Sequence, residues 1–228
     1  MVTDKMVCSN CQQQSDSKFC GSCGHSMLPN ERLVFSNLCL EIIHSILHTG
    51  GGLLLTMNRL FTEPQVVFKD YISGKRKHIF SPIKFFLIAS VIYLAISHWI
   101  DSSENNIETQ KIEYIISQYK YIFIFGNVFV NSFFNWFFFK NYKYNLSEHF
   151  VVMLYVQAVV FLISSLTMTI NYLLQAGIYL SILSIFYYLY ALTKFFNQEF
   201  TLKTIFINII VFVLSTIIFY LPVVLIAY

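Results

Sequence analysis

The chain has 228 residues, 56% of them hydrophobic and only 12% charged, with a formal net charge of +3. That balance excludes an ordinary soluble globule and points to a membrane protein. The small positive charge gathers beside apolar stretches rather than along a binding face, so no nucleic-acid partner is expected. The 24 phenylalanines and 15 tyrosines read as lipid-facing and interfacial side chains rather than as stacking platforms.

The first thirty residues are polar and lack the apolar core of a cleavable signal sequence, so the amino terminus is expected to stay in the cytosol. They contain "CSNCQQQSDSKFCGSCGH", in which Cys8 and Cys11 form one CxxC pair and Cys20 and Cys23 a second. A reducing compartment favours thiolate metal ligands over disulfides. Two such turns aim four sulfurs at one point, the geometry of a tetrahedral Zn2+. One structural zinc is expected, since a segment this small has little core, and metal binding supplies on the order of 10 to 16 kcal/mol in comparable peptides. Four thiolates close the shell, which sets catalytic or redox zinc behind a folding staple. Gly24 follows the second pair where the turn favours a positive φ, whereas Gln12 takes that place after the first, so a less regular first knuckle is expected. The composition thus divides the chain into a ribbon at 1–27, amphipathic helices at 28–80 and a membrane domain at 81–228.

In the second segment Leu33, Leu40, Ile43 and Leu47 recur at helical spacing behind Asn30, predicting an amphipathic helix to about His48. The glycines at 50–52 end it. A second short helix is predicted from Leu53 to Thr62, stopped by Pro64, and a third from Gln65 to Ser73, ended by Gly74. These helices are expected to lie along the inner membrane surface, with Lys75, Arg76 and Lys77 as a basic collar among anionic headgroups. Cys39 reads as a small buried hydrophobe. His44 and His48 share a helix face but lack a third ligand, and read as an interfacial stripe.

Five apolar stretches follow: about Pro82 to Ile100, Tyr121 to Phe139, Phe150 to Ile170, Ala176 to Thr193 and Thr204 to Ala227. The first covers about 28 Å as a helix, close to the hydrocarbon thickness. With the head inside, all but two of the fifteen lysines and arginines fall on the head's side; the exceptions are Lys111 and Lys120. The positive-inside rule then gives a five-helix transmembrane protein with a cytoplasmic amino terminus and Tyr228 outside.

The stretch "TMNRLFTEPQVVFKDYISGKRKHIFSPIKFFLIASVIYL", behind a ribbon ending "KFCGSCG", resembles a bacterial family of uncharacterised membrane proteins known as a domain of unknown function. Thr56, Leu60, Phe61, Pro64, Tyr71, Gly74, Lys75, Arg76 and Pro82 match its pattern, and in "YNLSEHFV" so do Tyr144, Glu148 and His149. The resemblance spans residues 8 to about 203, with Gln12 departing from the usual ribbon. It implies the architecture, a bacterial inner-membrane location and a bound zinc, and no activity.

None of the five stretches has a charged side chain near its centre, which weakens an ion-coupled transporter. Asn127, Asn131 and Asn135 share one slowly turning face of the second, and Gln157, Ser164, Ser165, Thr167 and Thr169 of the third are candidates to meet it. Interhelical glue is the preferred reading, a polar substrate path the lesser one. Glu148 and His149 stand at the inner mouth of the third stretch and His78 at that of the first. An interfacial cap is preferred there over acid-base chemistry on a lipid headgroup. The leading expectation is a non-enzymatic scaffold that docks a protein partner, or self-associates, through its ribbon. A small-solute or lipid transporter lined by the asparagine face is the alternative, and a lipid-headgroup enzyme the weaker third.

Overall fold

A computed structural model describes residues 6–8, 11–15, 20–23, 52–101, 110–140, 143–174, 182–196 and 202–227, with backbone alone at 101, 110–123, 202–204 and 219–227. The helix expected to end near His48, with Cys39, His44 and His48, lies outside these residues.

Two short strands, β1 (Met6–Val7) and β2 (Gln14–Ser15), pair antiparallel with Met6 opposite Ser15. They bracket the first CxxC turn. The other described elements are helices: α1 (Leu53–Thr62), α2 (Pro64–Ile72), α3 (Pro82–Asp101), α4 (Gln110–Phe138), α5 (Leu146–Leu174), α6 (Ile182–Phe195) and α7 (Leu202–Ala227).

Pro64 does not merely stop α1. Glu63 breaks the helix at φ −139°, and Pro64 then opens α2 at its first position, where a missing N–H costs nothing and the fixed φ suits a helix. The second apolar stretch starts its helix eleven residues earlier than expected, at Gln110, because polar residues 110–120 continue the helical backbone beyond the hydrophobic run. The fourth is described over Ile182–Phe195, and its expected start at Ala176 lies outside the described residues.

Helix α5 is the hub and packs against α1, α2, α3, α4 and α6, while α7 covers α4 and α6. Val151 through Val156 are all buried, so this run has no lipid-facing stripe. The short helices are part of the same core. Leu60, Val67, Phe68 and Tyr71 join one hydrophobic cluster with Phe85, Tyr155 and Phe195. One face of each of α1 and α2 is built into the bundle, and Leu54, Leu55 and Phe61 of α1 remain exposed.

Among the described residues, α3 over Pro82–Ile100 and α5 over Leu146–Leu174 are long and apolar enough to cross a membrane. Ile182–Phe195 and Ile205–Ile218 are apolar over shorter lengths.

Candidate functional site

At the head, the Cys8 and Cys23 sulfurs stand 3.6 Å apart and those of Cys11 and Cys20 3.4 Å. All four lie within 4.8 Å of one another. A tetrahedron of sulfurs around zinc, with bonds of about 2.3 Å, has edges of about 3.8 Å, so the cluster fits a single metal ion. The first knuckle is held by Gln12 N–H to the Cys8 carbonyl at 2.8 Å and Cys8 N–H to the Gln13 carbonyl at 2.9 Å. Gln12 adopts φ 62°, the left-handed turn glycine would take freely, at a cost of about 1–2 kcal/mol. The knuckle is therefore regular despite the substitution. Ser22 Oγ donates to Gln13 Oε1, tying the two knuckles together. Among the described residues, the buried apolar cluster here is Cys8 and Cys20 with Cys23 against them. Without a larger core, a bound metal is what could hold this segment folded.

Side chains from α1, α5 and α6 clamp the short helices to the bundle. Thr56 is buried, and its Oγ1 accepts the Phe80 N–H at 2.9 Å. Tyr155, in mid-α5, donates its hydroxyl to the Phe80 carbonyl at 2.5 Å. Its ring sits among Phe68, Tyr71 and Phe85, with centroids 5.9–6.3 Å away. From α6, Tyr187 and Tyr190 donate to the carbonyls of Leu60 and Thr62 at 3.1 and 2.9 Å. Those carbonyls are in the last turn of α1, where the helix offers them no partner of its own.

The turn after α2 explains Gly74. It has φ 89°, its N–H donates to the Tyr71 carbonyl at 3.2 Å, and the Lys75 N–H donates to the Asp70 carbonyl at 2.8 Å. This is the paired closure of a Schellman motif, which needs a left-handed residue at that place. The collar is partly fixed. Arg76 Nε donates to the Tyr71 carbonyl at 3.2 Å, and its guanidinium lies 5.0 Å from the Tyr71 ring centroid. Burial raises the Tyr71 phenol's pKa and lowers that of Arg76. Lys75 pairs with Asp70 at 3.5 Å, and Lys77 and His78 are exposed. Pro82 opens α3 at its first position, as Pro64 opens α2. Gly52 was not singled out from sequence beyond its glycine run. It has φ 105°, and a Cβ there would stand 2.9 Å from the His78 carbonyl oxygen.

At the start of α5, Asn145 Oδ1 accepts the Glu148 N–H at 2.8 Å and Glu148 Oε2 accepts the Asn145 N–H at 2.6 Å. This reciprocal pair is a capping box. His149 is 2% exposed and ringed by Tyr144, Phe195 and Phe196, with Nε2 unpartnered among the described residues. Glu148 caps a helix end while His149 points into aromatic packing, so the two do not form an open acid-base pair.

The asparagine face is met by residues sequence reasoning passed over. Asn131 Oδ1 accepts from Tyr188 of α6 at 3.1 Å and from Ser215 of α7 at 3.0 Å, while Asn131 Nδ2 donates to Asn127 Oδ1 at 2.8 Å. Asn135 Nδ2 reaches the Asn131 carbonyl at 3.0 Å, with Tyr188 Oη at 3.5 Å and Met153 Sδ at 3.9 Å. The candidate partners on α5 do not join. Gln157 is half-buried, and Ser165, Thr167 and Thr169 bond back to carbonyls of their own helix. Ser164 instead meets Ser184 of α6 at 3.0 Å. The signal for the missing partners was present: a tyrosine in an apolar run must place its hydroxyl somewhere, and Tyr155, Tyr187 and Tyr188 each do.

A family model described as Protein of unknown function (DUF3667) matches residues 51–94. That segment holds α1, α2, the basic turn and the first part of α3, the region that carries the Thr56 to Pro82 pattern. No curated protein and no solved structure matches the chain. The matched segment includes Thr56, which bonds the Phe80 N–H, Gly74, which closes α2, and Pro82, which opens α3.

Proposed function

We propose that this chain is a five-span protein of the bacterial cytoplasmic membrane whose zinc-stapled head docks a protein partner at the inner face. The observation that carries the docking role is the closed four-sulfur cluster, all sulfurs within 4.8 Å of one another, which leaves a bound ion no position for a substrate. A metal held this way builds a rigid surface from very few residues, and recognition is the use such a surface serves.

The inside orientation draws support from where the basic groups gather. Short connections make successive helices antiparallel, so the start of α3, the end of α4, the start of α5 and the end of α6 share one end of the bundle. Lys84, Lys140, Lys143 and Lys194 stand there. Lys140 lies 4.6 Å from the Phe137 ring and Lys194 6.0 Å from the Tyr190 ring, the pairing of amine and aromatic suited to a headgroup region. The five-span count adds α4, α6 and α7 to the two helices whose length and apolarity suffice on their own. The bonded, buried asparagines favour this scaffold reading over a substrate path.

The test compares intact protein with a Cys8→Ser plus Cys20→Ser variant, at matched membrane levels, by in-membrane cross-linking and mass spectrometry. Zinc content is measured on the same purified samples. Intact protein should carry one zinc and cross-link to a protein that the variant loses. A zinc-loaded head whose loss leaves every cross-link unchanged would sink the docking role. Reporter fusions at residue 1 and residue 228 test the topology, and an active outside reporter at residue 1 would overturn it.

A further inference from the structure

The seam between α4, α6 and α7 has hydrogen-bonding capacity that the described side chains do not use. Asn208 of α7 is 0% exposed, and neither its Oδ1 nor its Nδ2 has a partner among the described residues. An amide flip cannot repair this, because both ends are orphaned. Asn135 of α4 is also 0% exposed, and its Oδ1 is unpartnered. The backbone brings the two amides to the same level. Asn208, Val211 and Ser215 are all 0% exposed and, at spacings of three and four, share the face on which Ser215 bonds Asn131. Helices α4 and α7 run antiparallel. From the Asn131–Ser215 bond, Asn135 lies about 6 Å along α4 and Asn208 about 10 Å along α7, in the same direction. Tyr188 of α6 reaches Asn131 and Asn135 and packs on Phe212, one turn along α7 from Asn208.

We propose that this seam is a binding site for a small neutral hydrogen-bonding guest, one or two ordered waters, held between Asn135 and Asn208 beside Tyr188. The guest must be neutral. The groups that define the site are amides and hydroxyls, and an ion here would lack a countercharge in a low-dielectric interior. It must be small, because the surrounding side chains are fully buried and closely packed. It must both donate and accept, because the orphaned atoms include two carbonyl oxygens and one NH2 group. Water meets all three conditions and finds the two to four polar partners a buried water requires. The seam is thereby a wet polar contact within an otherwise apolar bundle.

Radiolytic hydroxyl-radical footprinting of the full chain in lipid nanodiscs, in 18O-labelled water, tests this. Radicals formed from a bound water oxidise the groups beside it even where bulk solvent cannot reach. Tyr188 and Met153, 1% and 2% exposed, should gain labelled oxygen in the wild type. In Asn208→Leu that labelling should fall to the unirradiated background, while exposed Trp99 reacts as before. A wild type in which Tyr188 and Met153 stay unlabelled overturns the proposal, and this arm does not depend on how the variant folds. Equal labelling in wild type and a monodisperse Asn208→Leu variant also overturns it, since the water would then sit elsewhere.

Discussion

The two sides of helix α5 solve the same problem with different chemistry. On the α1–α2–α3 side, hydroxyls and backbone groups meet one to one: Tyr155, Tyr187 and Tyr190 each against a carbonyl, and Thr56 Oγ1 against one N–H, with Gln65 Oε1 of α2 a buried atom left without a partner among the described residues. On the α4–α6–α7 side the polar groups are amides, and Asn135 and Asn208 are left with unused atoms. A hydroxyl rotates to suit a single acceptor. An amide brings two donors and two acceptor sites in fixed directions, and a contact between helices seldom supplies them all. Matched pairs make a rigid joint, whereas unmatched amides make a contact that takes in a guest.

The comparison breaks first at Tyr155. Tyr155→Ala should cost about 3–5 kcal/mol in a reversible unfolding titration in mixed micelles, since it removes a fully buried ring and opens a cavity at the hub. Tyr155→Phe isolates the hydroxyl, and about 1–3 kcal/mol is expected because the Phe80 carbonyl loses its partner. A Tyr155→Phe variant as stable as the wild type would show that packing, and not the matched bond, secures this side. Gly52→Ala comes next at about 2 kcal/mol, from a left-handed backbone and a Cβ forced against the His78 carbonyl. The same titration reads it, and an unchanged midpoint would mean that the start of α1 is not pinned to the basic turn. Thr56→Val keeps the shape but removes the acceptor for the Phe80 N–H, for about 1–2 kcal/mol. Hydrogen exchange at the Phe80 amide should speed up in step.

The smallest effect is expected on the other side. Asn131→Leu deletes the acceptor shared by Tyr188 and Ser215. Bonds between helices within a membrane average about 0.6 kcal/mol, so about 1 kcal/mol is lost for the pair. A loss as large as that of Tyr155→Ala would erase the distinction between the two sides, and would mark the seam as a second hub.

Much of the site was legible because it depends on local chemistry. Two CxxC turns bring four sulfurs together through knuckle geometry, which needs little from the rest of the chain. Gly74 and Pro64 signal a helix end and a helix start by the backbone angles they favour. The capping box at Asn145 and Glu148 is written in residues three apart. Less legible was the destination of α1 and α2. Their amphipathic pattern says that one face is covered, and a membrane surface or a protein core covers it equally well. The tyrosines that choose the core, Tyr155, Tyr187 and Tyr190, stand 75 to 128 residues from the carbonyls they bond.

The asparagine face shows the same division. Its spacing of four placed Asn127, Asn131 and Asn135 on one side of a helix, and that much followed from 3.6 residues per turn. Which helix faces them depends on how the bundle closes: α6 and α7 supply the hydroxyls expected of α5, and α5 meets Asn135 through Met153 instead. By itself the sequence determined the cysteine cluster and the helix ends marked by Gly74 and Pro82, because those rest on spacing and backbone preference, but not the start of α4. The tertiary structure alone decided which helix is central, that α1 and α2 are clamped to the bundle by distant tyrosines, and that Asn208 is buried. Each depends on side-chain pairs far apart in the chain, whose meeting is fixed only when the whole bundle packs.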